Sequence, residues 1–181
     1  DPACAVQGVL AAGHVCTVMG GSELDDLVQR HRRPVVITGF SAEELLQGIM
    51  RCISQLERGE ARVENAYGKA VSEAGNREAR TLLKHVFEPI NTIWRGLGEI
   101  NQGGYKLRPA FSPLALEHQD RQASDQQKTE HPECPSGLVL QGLLRPSACA
   151  SFGNRCTPDH PLGAPMVSSE GACAAYYRYQ R

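Results

Sequence analysis

Little in this chain points to a polyanion or a membrane. Its charged residues nearly cancel, to a formal net charge of −1 over 181 residues. That removes the electrostatic case for nucleic acid or an anionic lipid surface as partner. No apolar run approaches the roughly 20 residues needed to cross a bilayer. No secretory hydrophobic segment is visible, and there is no internal repeat. Aromatics are sparse, with one tryptophan, Trp94. Also missing is any pair of closely spaced cysteine knuckles, the usual mark of a structural zinc site. Cysteine and histidine without an export signal lead to the expectation of a reducing, cytoplasmic setting. The chain opens on Asp1-Pro2, and is expected to be a fragment or a processed product.

What the chain does have is a cysteine-rich end. Cys134, Cys149, Cys156 and Cys173 follow a C-x14-C-x6-C-x16-C spacing, interrupted by Pro146, Pro158, Pro161 and Pro165. Prolines and glycines at this density forbid one long helix, so the stretch 134–181 is read as a loop scaffold fixed by its thiols. Several chemistries fit the spacing. A 4Fe–4S cluster takes four thiolates and tolerates varied separations. Zinc normally brings the knuckles absent here. Two disulfides would suit a secreted chain, and seven cysteines leave one over. Inert thiols remain a further reading.

The preceding part, 1–116, reads as a partial Rossmann-like α/β domain: a small parallel sheet flanked by helices, because β-branched runs alternate with amphipathic stretches. Val6-Gln7-Gly8-Val9-Leu10 is expected to be a buried strand running into a glycine turn at Gly13-His14. Cys16 then sits on an apolar helical turn, where a cysteine is usually a small core hydrophobe. Ser22 is expected to cap the next helix, which ends at His31-Arg32-Arg33-Pro34. Val35-Val36-Ile37-Thr38 is continuous and β-branched, as in a strand buried on both faces. Ser41 and Glu44 form a capping box before a helix with Leu45, Leu46, Ile49, Met50, Ile53 and Leu56 on one face. Arg62–Tyr67 is expected as an edge strand. Asn76 is expected to cap a helix whose apolar face includes Leu82, Leu83, Val86 and Phe87. Thr92-Ile93-Trp94 is expected as a short strand, with Trp94 anchoring the core. Residues 117–133 are polar and read as a linker.

The flanks of the thiols carry a further signal. Phe152-Gly153-x-x-Cys156-Thr157-Pro158-x-x-Pro161-x-Gly163 is followed by Met166-Val167-Ser168-Ser169-Glu170-Gly171-Ala172-Cys173-Ala174-Ala175-Tyr176-Tyr177. This resembles the C-terminal signature of the HypD family, hydrogenase maturation factors. Gly13-His14-Val15-Cys16, Val36-Ile37-Thr38-Gly39-Phe40, Leu45-Leu46-Gln47-Gly48-Ile49 and Trp94-Arg95-Gly96-Leu97-Gly98 extend the resemblance through the chain. Two local departures stand out. Gly39-Phe40-Ser41-Ala42 replaces the family's Gly-Phe-Glu-Pro, and Ile100-Asn101-Gln102-Gly103-Gly104 replaces Ile-Pro-x-Ser-Gly.

The resemblance implies that Cys134, Cys149, Cys156 and Cys173 ligate a 4Fe–4S cluster. It implies that His14 and Phe40 face a cleft. It further implies a scaffold role in assembling the Fe(CN)2CO centre of nickel–iron hydrogenases, handling iron with cyanide and carbonyl ligands. The implied partners are a HypC-like small chaperone and a HypE-like cyanide donor, with no nucleic acid and no membrane. The family's N-terminal half carries Cys-Gly-x-His-Glu and Gly-Pro-Gly-Cys-Pro-Val-Cys motifs, and neither occurs in this sequence. The alternative is therefore a non-catalytic, cluster-bearing structural or interaction module. Around the thiols, Gly137, Gly153 and Gly171 are expected to permit close backbone approach. Ser168-Ser169-Glu170 is expected to start a helix aimed at the cluster. Arg155 and Arg178 are candidate neighbouring cations, and Tyr176, Tyr177 and Tyr179 form a lid or a packing surface.

Overall fold

The computed structural model describes residues 3–115 and 131–179. They form two compact units, Val6–Val86 and a second that joins the residues before Val6 to those from Phe87 onward. Most of the expected linker 117–133 lies outside the described residues.

The first unit is built on a three-stranded parallel sheet in the order β1-β2-β3. Strand β2 (Val35–Thr38) is central, and its Val35, Val36 and Ile37 are 0 % exposed. Side chains of this size are each worth roughly 1.5–3 kcal/mol when fully buried, so this short run dominates the unit's stability. Strand β3 (Val63–Asn65) is the expected edge strand. Strand β1 spans Val9–Ala12, later than expected, and it is also an edge. Its alternate residues face outward, with Leu10 40 % exposed, so it is half-buried and not a core strand.

Helices fill the connections. No glycine turn separates β1 from α1 (Gly13–Met19); Gly13 itself opens the helix. A Cβ there would lie 2.6 Å from the Thr38 carbonyl oxygen, so only glycine lets the helix start against β2. Cys16 is 2 % exposed and packs with Ile37 and Val71, which bears out its reading as a core residue. Ser22 does not cap α2 (Asp25–His31). It sits in a 3-10 turn, Ser22–Leu24, and its hydroxyl donates to the Glu73 carbonyl.

The longest helix, α3 (Ala42–Glu57), begins with the expected capping box: Glu44 N–H donates to Ser41 Oγ, and Ser41 N–H to Glu44 Oε2. Its apolar stripe is not the face that meets the sheet. The buried positions are Gly48, Cys52 and Gln55, while Leu46, Met50 and Ile53 are 59, 62 and 49 % exposed. Small residues let the helix approach closely: a Cβ on Gly48 would lie 3.0 Å from the Thr38 side chain. Gln55 is 0 % exposed, donating to Glu64 Oε2 and accepting from the Arg62 N–H, so its burial is compensated. Asn76 caps α4 (Arg77–Val86) through Ala79 N–H.

The second unit begins where the sequence hides its largest surprise. Phe87 starts no helix turn but a strand, β4 (Phe87–Trp94), paired antiparallel with β5 (Gly98–Leu107). The hairpin turns at Arg95–Leu97, and its register shifts between Ile90 and Thr92. Pro89 lies inside β4, which a two-stranded ribbon tolerates because each strand keeps one unpaired edge. Trp94 is not a core anchor. It is 50 % exposed, its indole N–H donating 2.8 Å to the Gly103 carbonyl. A two-stranded ribbon has no second layer in which to bury it. The cysteine segment then runs through short pieces: α5 (Ser136–Leu140), a 3-10 turn at Pro146–Ala148, α6 (Ala164–Val167) and α7 (Ala172–Tyr179).

Candidate functional site

Each cysteine of the segment is delivered by a different local device. Cys134 ends a turn in which its N–H donates to the His131 carbonyl, and Pro135 then leads into α5. Cys149 closes the 3-10 turn Pro146–Ala148. Cys156 closes a tight loop bridged to Phe152, its N–H donating to the Ser151 carbonyl. Cys173 sits in the first turn of α7. All four side chains line one cavity, together with Val139, Phe152, Pro165 and Met166. The floor is well packed: Cys156 is 6 %, Met166 1 % and Ala174 5 % exposed. Among the described residues no cysteine forms a disulfide.

Three features give the cavity its chemistry. Burial, with a smaller contribution from the charges of Cys156, Cys134 and Cys149, pushes the Cys173 thiol up to about 11. The thiols sense one another, so several thiolates can coexist there only with positive charge among them. Leu162 N–H donates to Cys156 Sγ at 3.4 Å, which places a backbone dipole on one sulfur. Ser136 is 1 % exposed, and among the described residues its Oγ has no hydrogen-bond partner. Among those residues, no three His, Cys, Asp or Glu side chains gather closely enough to hold a single metal ion.

Several expectations about the surroundings need correction. Gly137 and Gly171 do permit close backbone approach, though to carbonyls of the protein, and the glycine beside a thiol is Gly163: a Cβ there would lie 2.3 Å from Cys134 Sγ. Gly137 instead makes room for the Gly96 carbonyl and Gly171 for the Pro165 carbonyl, while a Cβ on Gly153 would meet nothing. Ser168 to Gly171 form a turn closed by the Gly171 N–H, and the helix starts only at Ala172. Arg155 is occupied by an ion pair with Glu133, and Arg178 lies over the Tyr179 ring. Tyr177 packs edge-on against Phe152, 6.2 Å between centroids, so it backs the cavity wall. Tyr179 is 77 % exposed and forms no lid.

His14 and Phe40, in the other unit, do come together. They follow β1 and β2 at the same sheet end, and their ring centroids are 5.1 Å apart. A carboxylate also reaches this turn, though not at the position after Phe40: Glu44 Oε2 accepts from the N–H groups of Phe40 and Ser41, each at 3.1 Å. Lys69 pairs with its other oxygen at 2.5 Å.

Ser136 went unmarked in the sequence, and Gly163 was marked only as part of the signature, not as the neighbour of a thiol. The only available signal was adjacency, Ser136 two residues past a cysteine and Gly163 within the Pro-x-Gly that follows Cys156.

Fold and site define a class of protein: a parallel α/β unit and, in a second unit, a loop scaffold whose four thiols face one apolar cavity. Within that class this chain belongs to the HypD family; residues 1–180 match the family described as the hydrogenase formation hypA family. It is similar to the hydrogenase maturation factor HypD of Rhodobacter capsulatus, 39 % identical over 183 residues that cover 99 % of this chain and 48 % of that protein. It is 40 % identical over 179 residues to the hydrogenase expression/formation protein HupD of Azotobacter chroococcum mcd 1, covering 97 % and 46 %. The HypD of Escherichia coli K12 is 38 % identical over 183 residues, covering 100 % and 48 %. The chain thus spans about half the length of these relatives. Among the described residues no helix is long and apolar enough to cross a membrane.

Proposed function

We propose that this chain takes part in hydrogenase maturation as a scaffold that holds a 4Fe–4S cluster on Cys134, Cys149, Cys156 and Cys173. The observation that carries the reading is the convergence of four thiols, from four separate turns, on one apolar cavity. A single tetrahedral ion would draw its thiolates to within about 4 Å of one another. The four thiols line one cavity, which suits an occupant that meets each thiolate at a different iron. Gly163 leaves room beside the Cys134 sulfur, and Leu162 N–H already donates to a second. When bound, such a cluster supplies reversible one-electron storage.

The residues' own work follows from their positions. Met166, Val139 and Phe152 exclude water. Leu162 N–H stabilises negative charge on Cys156, and the first turn of α7 fixes Cys173. The relatives are named hydrogenase maturation factors; the reading carries this site's role further, to assembly of the Fe(CN)2CO centre, with iron carrying cyanide and carbonyl as cargo. HypC-like and HypE-like proteins are the partners this role implies.

Anaerobic reconstitution followed by iron and sulfide analysis tests the cluster. About four irons and four sulfides per chain are expected; stoichiometric zinc without sulfide overturns the reading. The exposed stripe Leu46, Met50 and Ile53 on α3 favours a second reading, a cluster-bearing interaction module without assembly chemistry of its own. Restoring hydrogenase activity in cells that lack the maturation factor separates the two. The module reading expects no rescue by this chain and rescue once it is joined to the preceding half of a relative.

A further inference from the structure

We infer that Ser136 is a positioning residue whose hydroxyl donates a hydrogen bond to a sulfur of the cavity's occupant and thereby raises its reduction potential. This rests on the reading that the four thiols bind an iron–sulfur cluster. Ser136 opens α5 two residues after Cys134, and its backbone is held by that helix turn. It lines the cavity and is 1 % exposed. Buried hydroxyls nearly always find a partner, because leaving one unmade forfeits its hydration with nothing in return. Yet Ser136 Oγ has none among the described residues, and it is the one buried side-chain oxygen or nitrogen there in that condition.

The surroundings say what kind of partner is wanted. The neighbouring wall is Val139 and Pro165, which offer no side-chain acceptor, Met166, whose thioether is only a weak one, and the four cysteine sulfurs. The Cβ that Gly163 lacks would lie 2.3 Å from Cys134 Sγ and 3.3 Å from Ser136 Cβ, so the glycine keeps one pocket open beside both residues. A hydroxyl held in an apolar cavity beside cysteine sulfurs is a donor waiting for a soft, negatively charged acceptor. Thiolate and inorganic sulfide are such acceptors. A donor to them favours the more negative, reduced state, so hydrogen bonding at sulfur is one of the determinants of cluster potential. The Leu162 N–H on Cys156 is a backbone counterpart of the same device.

Ser136→Ala removes the donor with almost no change of shape. In the reconstituted chain its reduction potential is expected to fall by about 59 mV, the one-electron equivalent of a tenfold change in the redox equilibrium. Iron and sulfide contents should match the parent. The reduced cluster of the parent should show a solvent-exchangeable proton coupling, absent from S136A. Ser136→Thr, which keeps the hydroxyl, should restore potential and proton coupling together. Equal potentials and equal proton couplings in loaded parent and S136A overturn the role of Ser136 alone. Failure of the parent to take up iron and sulfide overturns the cluster reading, and this inference with it.

Discussion

The two units are stabilised in different ways. In Val6–Val86 the centre is backbone and aliphatic: β2 is paired on both sides and its side chains are wholly buried. In the second unit the buried cluster is Cys156, Met166 and Ala174, small and soft, under a run of short helices and turns. Among the described residues the second unit buries four hydrophobic side chains, Val139, Cys156, Met166 and Ala174, against seven in the first, so it has less to set against the ordering of its loop residues. The comparison teaches that one unit carries its own reason to fold, while the other turns four thiols onto one cavity, where the proposed cluster would supply what its core lacks.

The largest effect should therefore come from emptying the cavity. Cys156→Ala, or chelation of iron from the reconstituted chain, is expected to abolish at least nine-tenths of iron retention, and structural metal binding is folding free energy. Amide exchange should accelerate by about a hundredfold or more around 134–179 while Val35–Thr38 keeps its protection. Equal loss in both units would erase the distinction between them.

The converse change comes next. Ile37→Ala removes a side chain that is 0 % exposed and packs with Cys16 and Val71. It is expected to cost about 2–5 kcal/mol, read as a lower urea midpoint for the α/β unit. Iron uptake by the four thiols should be unchanged. A mutant that loses cluster as fast as it loses the sheet would show that the second unit leans on the first.

Gly163→Ala should have a smaller and more local result. Its Cβ would fall 2.3 Å from Cys134 Sγ, so either the thiol or the loop must shift. Overpacking of this kind costs about 1–3 kcal/mol. Iron should bind more slowly and leave sooner, with the sheet untouched; uptake at the parent's rate would mean the loop yields freely.

The same contrast explains what the sequence made legible. The β-branched run of β2 and the Ser41–Glu44 box are local signals, and local backbone geometry satisfies them. The four cysteines stood out by residue type and spacing, and the structure lines one cavity with them, while their chemistry rested on the family resemblance of their flanks. The hairpin was not. Gly98-Glu99-Ile100-Asn101-Gln102-Gly103-Gly104 has no two-residue alternation, because a ribbon open on both faces needs none. Trp94 and the α3 stripe misled for a related reason: apolar spacing predicts which face is sticky, not whether anything covers it. Ser136 was hidden because a serine is ordinary until its burial and lack of a partner are seen.

The smallest effect concerns acid, and it sharpens the contrast from the α/β side. The Lys69 ammonium, with the Ser41 backbone N–H, holds the Glu44 carboxyl down at about 2 from its ordinary 4.5. The folded state thus binds this proton less readily than the unfolded one. The stabilisation is complete above pH 4.5 and disappears as pH falls toward 2. Lys69 is 72 % exposed, so salt screens part of the attraction and the contribution is modest. Glu44→Gln keeps an oxygen for the turn's N–H groups while removing the charge. Its α/β unit should be less stable than the parent's at neutral pH, and the gap should close between pH 4.5 and 2. High salt should narrow the gap at neutral pH. Stability curves that run parallel through that window would show that the Glu44–Lys69 pair contributes nothing as a charge. The turn that brings Phe40 to His14 would then be held by its hydrogen bonds alone.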